Sequence, residues 1–405
     1  MPSYFYKARD SASKLIKGTL DAESREGLID KLRKMGYMAI EMAEITEGVN
    51  KRIVVFDRFR RVSDQDLVMF NIQLSNMIDA GLNILTSLST INKQIENRKL
   101  KETVTGVLKS LEAGNNFSQS LARYPNIFSN LLVNMVKVGE ASGRLEAVLK
   151  RFVEFSEHQI DLRQKIKGAL FYPAILLTAG IMVFLFTVTF IIPKFVEIFM
   201  KSGIMLPMPT LVLYKIGSCV KHFWYVGVFL IIAVYSGWKY YISTENGRFN
   251  FDRLKLNLPI FGALYRKVAI SDFAKTLATL ISSGVPILQS VDITREVIGN
   301  EVVKRVILSV RSSVEKGGMI SEALRISEEF PSDAVQMILV GEETGNLDRM
   351  LNKIADFYDR SLGYTIRKLT IILEPSLLVI MGAMTGFIMA SMLLPVFDMM
   401  KLLRR

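Results

Sequence analysis

The chain has 405 residues, half of them hydrophobic, a mean hydropathy of +0.28, and a formal net charge of +12 from 51 Lys and Arg against 39 Asp and Glu. That length suits two or three domains, and the hydropathy suits a protein with both membrane and aqueous parts. No basic tract with interleaved aromatics accompanies the charge, so anionic lipid headgroups or an acidic protein surface are the expected partners and nucleic acid is not; the single cysteine, Cys219, excludes an intramolecular disulfide and a thiolate metal cluster.

Met1-Pro2-Ser3-Tyr4 lacks the basic start and apolar core of a cleaved signal peptide, which places the segment before the first span in the cytoplasm. Residues 1–45 read as a small α/β unit. Tyr4 to Ala8 alternates like a strand, and Leu15 to Leu20 can pair with it. Asp21 to Met35 reads as a helix with Leu28, Ile29, Leu32 and Met35 on one face. Gly36 stops it, and Tyr37 to Met42 returns as a strand. A mixed-charge linker covers 46–62.

From 63 to 167 the pattern is that of a helical bundle. Ser63 with Asp66 predicts a capping box, and Gly81 a left-handed stop to the same helix. Further helices are expected over 84–96, 98–113, 118–123, 129–138 and 144–166. Residues 168–193 carry no charge over 26 positions, enough for a first membrane span, with Ala179-Gly180 as a small-residue face. A short extracytoplasmic connection, 194–218, holds Leu206-Pro207-Met208-Pro209-Thr210. A second span covers 219–238, with Trp224 and Trp238 towards its ends as an interfacial belt. A second helical bundle follows over 255–369 and a third span over 371–397, where Gly382, Gly386 and Ala390 make a close-packing stripe at spacing four.

The chain repeats itself. Phe70, Gly81, Ile84, Leu85, Ser87, Gly114, Ser118 and Leu121 recur 203 positions later as Phe273, Gly284, Ile287, Leu288, Ser290, Gly317, Ser321 and Leu324. After the loss of one residue, Gly139-Glu140, Gly143, Leu145, Pro173 and Pro193 recur 202 later as Gly341-Glu342, Gly345, Leu347, Pro375 and Pro395. The duplicated unit is a helical module plus a membrane span. Three spans put both modules on one side. That side has nine Lys and Arg near the spans against seven on the other, too even to fix topology by charge.

Catalysis finds little support. There is no phosphate loop, the two histidines His158 and His222 stand alone, and no aspartate lies within a span. The Gly-Glu-x-x-Gly-x-Leu stretches at 139–145 and 341–347 read first as helix–helix corners. In that reading Gly139 and Gly341 end one helix and Ser142 or Thr344 caps the next; in the sharper one, Glu140 and Glu342 form a partner-facing acidic corner. Glu374-Pro375, against Tyr172-Pro173, lies about one turn into the last span, where a proline costs no needed hydrogen bond. Glu374 is either a functional group at membrane depth or a headgroup-level carboxylate paired with Arg367 or Lys368. Gly81 to Leu85 and Gly284-Val285-Pro286-Ile287-Leu288 read as tight turns, with partner contact as the alternative. No cofactor or metal is expected.

The run Phe273 to Leu288 (FAKTLATLISSGVPIL), both Gly-Glu corners, Tyr172-Pro173, Glu374-Pro375 and Leu206 to Thr210 together resemble one family over nearly the whole chain. It comprises the inner-membrane platform proteins of type IV pili and type II secretion systems. The resemblance implies a non-enzymatic assembly protein, mostly α, with two cytoplasmic antiparallel six-helix bundles and three transmembrane helices in the bacterial cytoplasmic membrane. It also implies a hexameric assembly ATPase, pilin or pseudopilin subunits and other inner-membrane assembly proteins as partners. Self-association is expected from the small-residue stripe. Carried over to this chain, Gly139, Glu140, Gly143 and Leu145, with Gly341, Glu342, Gly345 and Leu347, are the recurring motif positions. Asn83 departs from the pattern where the second copy has Pro286, and Lys401, Arg404 and Arg405 would lie outside, against the positive-inside preference. The alternative from the residues alone is a transporter or channel built on a duplicated unit, although such proteins carry more ionisable or broken positions at mid-membrane.

Overall fold

The structure, a computed structural model, describes residues 3–9, 15–22, 25–44, 62–201, 206–259 and 261–403. Apart from Val62, the linker read over 46–62 lies outside these residues, as do Arg404 and Arg405. The chain divides into two compact units, Met1–Ile127 and Phe128–Arg405.

In the first unit, β1 (Ser3–Arg9) is the central strand of an antiparallel sheet of order β2-β1-β3, flanked by β2 (Leu15–Asp21) and β3 (Met38–Glu44). Helix α1 (Arg25–Lys34) contributes Leu28 and Leu32 to a small core with Ala8 and Ala22. Ile29 and Met35, expected on the same face, are exposed. The buried stripe of a ten-residue helix follows the i, i+4 row and leaves its neighbours to solvent.

Among the described residues four more helices belong to this unit: α2 (Asp64–Asp79), α3 (Ile84–Gln94), α4 (Arg98–Glu112) and α5 (Phe117–Ala122). Their ends follow local chemistry. Ser63 and Asp66 form the predicted capping box, and Gly81 turns the chain at φ +82°. Asn83 departs from the repeat's proline and uses its side chain to accept from the Thr86 amide at 2.8 Å.

The second unit opens with α6 (Asn130–Ser142) and α7 (Leu145–Phe186). A π-helical turn, Thr187–Ile191, joins α7 to α8 (Ile192–Lys201). The helix therefore runs on past Pro193, and α9 (Met208–Ser243) starts well before 219. Among the described residues, α8 and α9 take up 194–201 and 208–218 of the expected connection. Two features explain the difference. α8 is amphipathic and buries Ile192, Val196 and Phe199, while Pro207 and Pro209 lie at the start of α9, where a missing N–H costs nothing. Helix α9 breaks locally at Phe223 (φ −112°, ψ 19°).

Helix α10 (Glu245–Asn257) fills most of a stretch, 239–254, that the sequence left unassigned and runs into the start of the second bundle. Its Asp252 carboxylate accepts from the Glu301 amide at 3.0 Å and lies 2.8 Å from Lys255, and Phe251 meets Trp238 edge-on. The second copy of the repeat follows as α11 (Phe261–Ser282), α12 (Ile287–Val297), α13 (Glu301–Glu315), α14 (Ile320–Ile326), α15 (Ser332–Glu343) and α16 (Leu347–Leu403). These six share one core in which Phe273 lies edge-on to Phe330, among Leu277, Ile307, Leu324 and Ile354. The buried Tyr358 hydroxyl donates to Asp333 at 3.2 Å.

Helices α2 to α7 repeat the order of α11 to α16. In each copy the last helix does not stop at the membrane: α7 is 42 residues long and α16 is 57. Among the described residues three stretches are long and apolar enough to span a bilayer: Leu145–Lys201, Met208–Ser243 and Leu347–Phe397.

Candidate functional site

The two Gly-Glu corners have one backbone design, and it assigns the glycines differently from the sequence reading. Gly139 and Gly341 do not end their helices; they lie inside α6 and α15, buried. Gly143 (φ +68°) and Gly345 (φ +67°) make the stop. Arg144 N–H then bonds back to Gly139 O, and Asn346 N–H to Gly341 O, each at 2.9 Å. The inner glycines permit close approach: a Cβ on Gly139 would lie 3.1 Å from Leu145 Cα, and one on Gly341 3.0 Å from Leu347 Cα. Ser142 and Thr344 do not cap the following helices. Their hydroxyls donate backwards, to Val138 O and Val340 O.

Glu342 has an intramolecular task. Its carboxylate accepts from the amides of Ile320 at 2.6 Å and Ser321 at 3.0 Å, at the start of α14. The residue before that helix, Met319, supplies no side-chain cap. The glutamate therefore satisfies two orphan donors and complements the helix dipole. Glu342→Ala is expected to lower stability by roughly 2 kcal/mol, a charge-assisted bond lost with donors left unpaired, and Glu342→Gln, which keeps one acceptor, by about half that. Thermal unfolding of the purified protein measures both.

The Gly284 turn (φ +85°) leads into α12 through Pro286. It faces α6 of the first copy. Val138 Cγ1 would lie 3.6 Å from a Cβ on Gly284. Nearby, Gln289 donates to Asn134 at 2.5 Å, Asn130 donates to Glu296 at 2.8 Å, and Arg151 donates to the Ser282 carbonyl.

Where α7, α11 and α16 meet just before the spans, the structure gathers a polar cluster that the sequence reading did not find. His158 Nε2 lies 3.1 Å from Asp359 Oδ2, without the alignment of a hydrogen bond. Ser271 Oγ donates to the other oxygen of Asp359 at 2.5 Å, and Lys267 donates to Thr365 at 2.8 Å. Asp359 stands between serine and histidine, whereas activating a serine needs the imidazole in the middle, so this is not the geometry of a hydrolase. Leu162, Leu264, Leu362, Ile366 and Leu369 form the apolar layer beside it. The spacing held a signal. His158 sits between Phe155 and Leu162, both buried, on the inward face of α7.

Burial pushes the Asp272 carboxyl from 3.8 up to about 6, opposed by Arg163 and His158 and assisted by Asp359. Its side chain is only part-buried by exposure but is crowded by protein on most sides. The native state binds this proton more tightly than the unfolded chain. The contribution is complete below about pH 4 and is lost as pH rises through about 6. Asp272→Asn should therefore raise the thermal midpoint at pH 7.5 by a few degrees, equivalent to about 1–2 kcal/mol, with the gain fading towards pH 4. Melting curves across that range test it.

Within the spans, Pro173 and Pro375 are not in a first turn as expected. They lie inside continuous helices, so the carbonyls of Ala169 and Ile371 lose their usual partners. Glu374 is exposed on α16 and forms no ion pair with Arg367 or Lys368 among the described residues. Gly180 packs α7 against α16: a Cβ there would lie 3.1 Å from Met381 Cε. Gly382, Gly386 and Ala390 face outwards, with nothing within 4 Å of a Cβ on either glycine. At the far end, Thr210 Oγ1 donates to the Ser391 carbonyl at 2.5 Å, and Gly217 lets α9 approach the carbonyl of Val188 in the π turn. Among the described residues no group of three or more His, Cys, Asp or Glu could hold a metal ion.

The family described as type II secretion system (T2SS), protein F matches the chain twice, over residues 70–193 and 273–395. The chain belongs to the type II secretion system protein F family. Both matches run from module into span without a break, as α7 and α16 do. The N-terminal domain of the protein F family matches residues 1–43. The chain is 36% identical over 400 residues, covering 98% of both chains, to the type IV pilus assembly protein PilC of Thermus thermophilus. It is 32% identical to the PilC protein of Myxococcus xanthus, over 98% of this chain and 94% of that one. To the type II secretion system protein F of Vibrio cholerae it is 28% identical over the full length of both.

Proposed function

We propose that this protein is the inner-membrane platform of a type IV pilus or type II secretion machine. In this reading both modules lie on the cytoplasmic side of the bacterial cytoplasmic membrane. A hexameric assembly ATPase moves them, and the spans pass that movement to pilin or pseudopilin subunits leaving the bilayer for a fibre. The observation that carries the reading is the continuity of α16, one helix of 57 residues with its first part in the core of the second module and its last part in a span. At 1.5 Å per residue such a helix is about 85 Å long. A rotation or tilt of the module has no loop in which to dissipate. The family membership and the names of the relatives support the same role.

Co-purification from native membranes tests it. Recovery of a hexameric ATPase and pilin-like subunits is the expected result, and recovery of neither would overturn the reading. Glu374 is the proposed point of contact with a subunit, because a carboxylate without an ion pair one turn into a span attracts a positively charged N-terminus. Glu374→Gln should cut fibre assembly at least tenfold with membrane levels unchanged. Assembly at the wild-type rate would remove Glu374 from the mechanism.

A further inference from the structure

The duplication supplies an internal control for a groove on the second module. A cavity of about 660 Å³ opens between α13 and α14, bordered by Phe249 of α10. The matching place in the first copy, between α4 and α5, is filled. Tyr124 lies across α4 there, its hydroxyl where a Cβ on Gly106 would be, only 1.9 Å away. Tyr124 and Ser327 are equivalent in the backbone: their amides bond to Leu121 O at 3.0 Å and to Leu324 O at 3.1 Å. The repeat offset of 203 likewise pairs Gly106 with Ser309. The second copy has thus lost the ring that fills the groove.

The lining has changed in step. At the same offset, Lys99, Thr103, Ser120 and Arg123 of the first copy are replaced by Val302, Val306, Ala323 and Ile326. Ile326 is 86% exposed at the rim. Four polar-to-apolar replacements at one open cavity are the opposite of what water contact favours. The hydroxyls of Ser309, Ser313 and Ser327 are turned onto carbonyls of their own segment, so they do not make the floor more polar.

Two guanidiniums flank the groove, Arg305 where the first copy has Glu102, and Arg325 where it has Ala122. Arg305 rests on the Phe249 ring at 3.9 Å, and neither arginine has an ion pair among the described residues. Glu322 is the one carboxylate on the lining. The surroundings of an incoming apolar side chain are therefore net positive. Ser309 Cβ occupies the space that Gly106 leaves for the Tyr124 hydroxyl, which favours a ring without one.

We infer that this groove is a docking site for a phenylalanine carried on an acidic segment of a soluble partner protein, the partner's ring taking the place that Tyr124 takes in the first copy. The inference goes beyond the platform reading and does not depend on which machine the protein serves. The second module accepts from another chain what the first supplies for itself.

The test uses the full-length protein in detergent micelles and a dye-labelled peptide, Asp-Glu-Phe-Glu-Asp on a long flexible linker, read by fluorescence anisotropy. Saturable binding is expected. Replacing the peptide's Phe by Ala, or its acids by Lys, should weaken it at least tenfold, and Tyr in place of Phe severalfold. The paired substitution Ser309→Gly with Ser327→Tyr installs the first copy's own plug, and should weaken binding at least tenfold without lowering the thermal midpoint. Ile326→Asp, at an exposed position, serves as a second blocking variant if that pair fails to fold. No saturable binding up to millimolar peptide, or equal binding by wild type and blocked variants, would overturn the inference. So would self-association that the plug abolishes without any peptide binding, which would assign the groove to a second copy of the chain.

Discussion

Gly341→Val is expected to be among the most destabilising single changes at the corners. The new Cβ would stand 3.0 Å from Leu347 Cα and 3.1 Å from Met350 Cβ. These are main-chain and first side-chain atoms, which cannot swing aside as a flexible tip can. Alanine would recover about 1 kcal/mol of helix propensity and partly mask the overlap. Valine adds two methyl groups to the same contact and loses rotamer freedom in the helix. Overpacking of this kind costs typically 1–3 kcal/mol and more when backbone must move, so the thermal midpoint should fall by roughly 10 °C. Gly363→Ala is the control. It lies in α16 with nothing within 4 Å of a new Cβ, and should be neutral or slightly stabilising. Gly139→Val should behave like Gly341→Val, because its Cβ would meet Leu145 and Val148 at 3.1 and 3.2 Å. Differential scanning fluorimetry of the four proteins decides the point.

The second large effect concerns transmission. Inserting Gly-Ser-Gly after Thr370 breaks α16 between the junction cluster and the apolar part of its span. The module's own core is untouched, so its melting transition should stay within about 2 °C, since no buried contact is removed. Fibre assembly or secretion should fall below about a tenth of wild type, because three flexible residues replace a rigid connection. A seven-residue helical insertion at the same place restores continuity and nearly restores rotational phase, since two turns differ from seven residues by only about 20°. It should recover a substantial part of the activity. Equal losses from both insertions would show that length, and not stiffness, is what matters.

The sequence carried the architecture far because its strongest signals are local and periodic. Charge-free runs, capping residues such as Ser63 and Asp66, and the recurrence at 203 positions need no tertiary knowledge. It misplaced what depends on geometry. In Gly-Glu-x-x-Gly either glycine could be the left-handed one, and only the folded backbone shows that Gly143 and Gly345 take that role while Gly139 and Gly341 make room for a neighbouring helix. Pro193 reads as the end of the first span and Pro209 as part of a connection, yet each falls near the start of a helical segment. The polar junction was hidden for another reason. His158, Ser271 and Asp359 come from three distant helices, and only the apolar spacing around His158 gives any local sign of it. Glu342 was legible as a corner residue but not as the cap of α14, a helix twenty residues earlier in the chain.

The most direct test of the account is the distance between module and span along α16. With Cys219 replaced by serine, spin labels at Lys353 and Met389, both exposed on that helix, report it in a lipid bilayer by double electron–electron resonance. An unbroken α16 gives one narrow distribution centred near 54 Å, the length of 36 helical residues at about 1.5 Å each, broadening markedly in the Gly-Ser-Gly variant. A broad or much shorter distribution in the uninterrupted chain would contradict it.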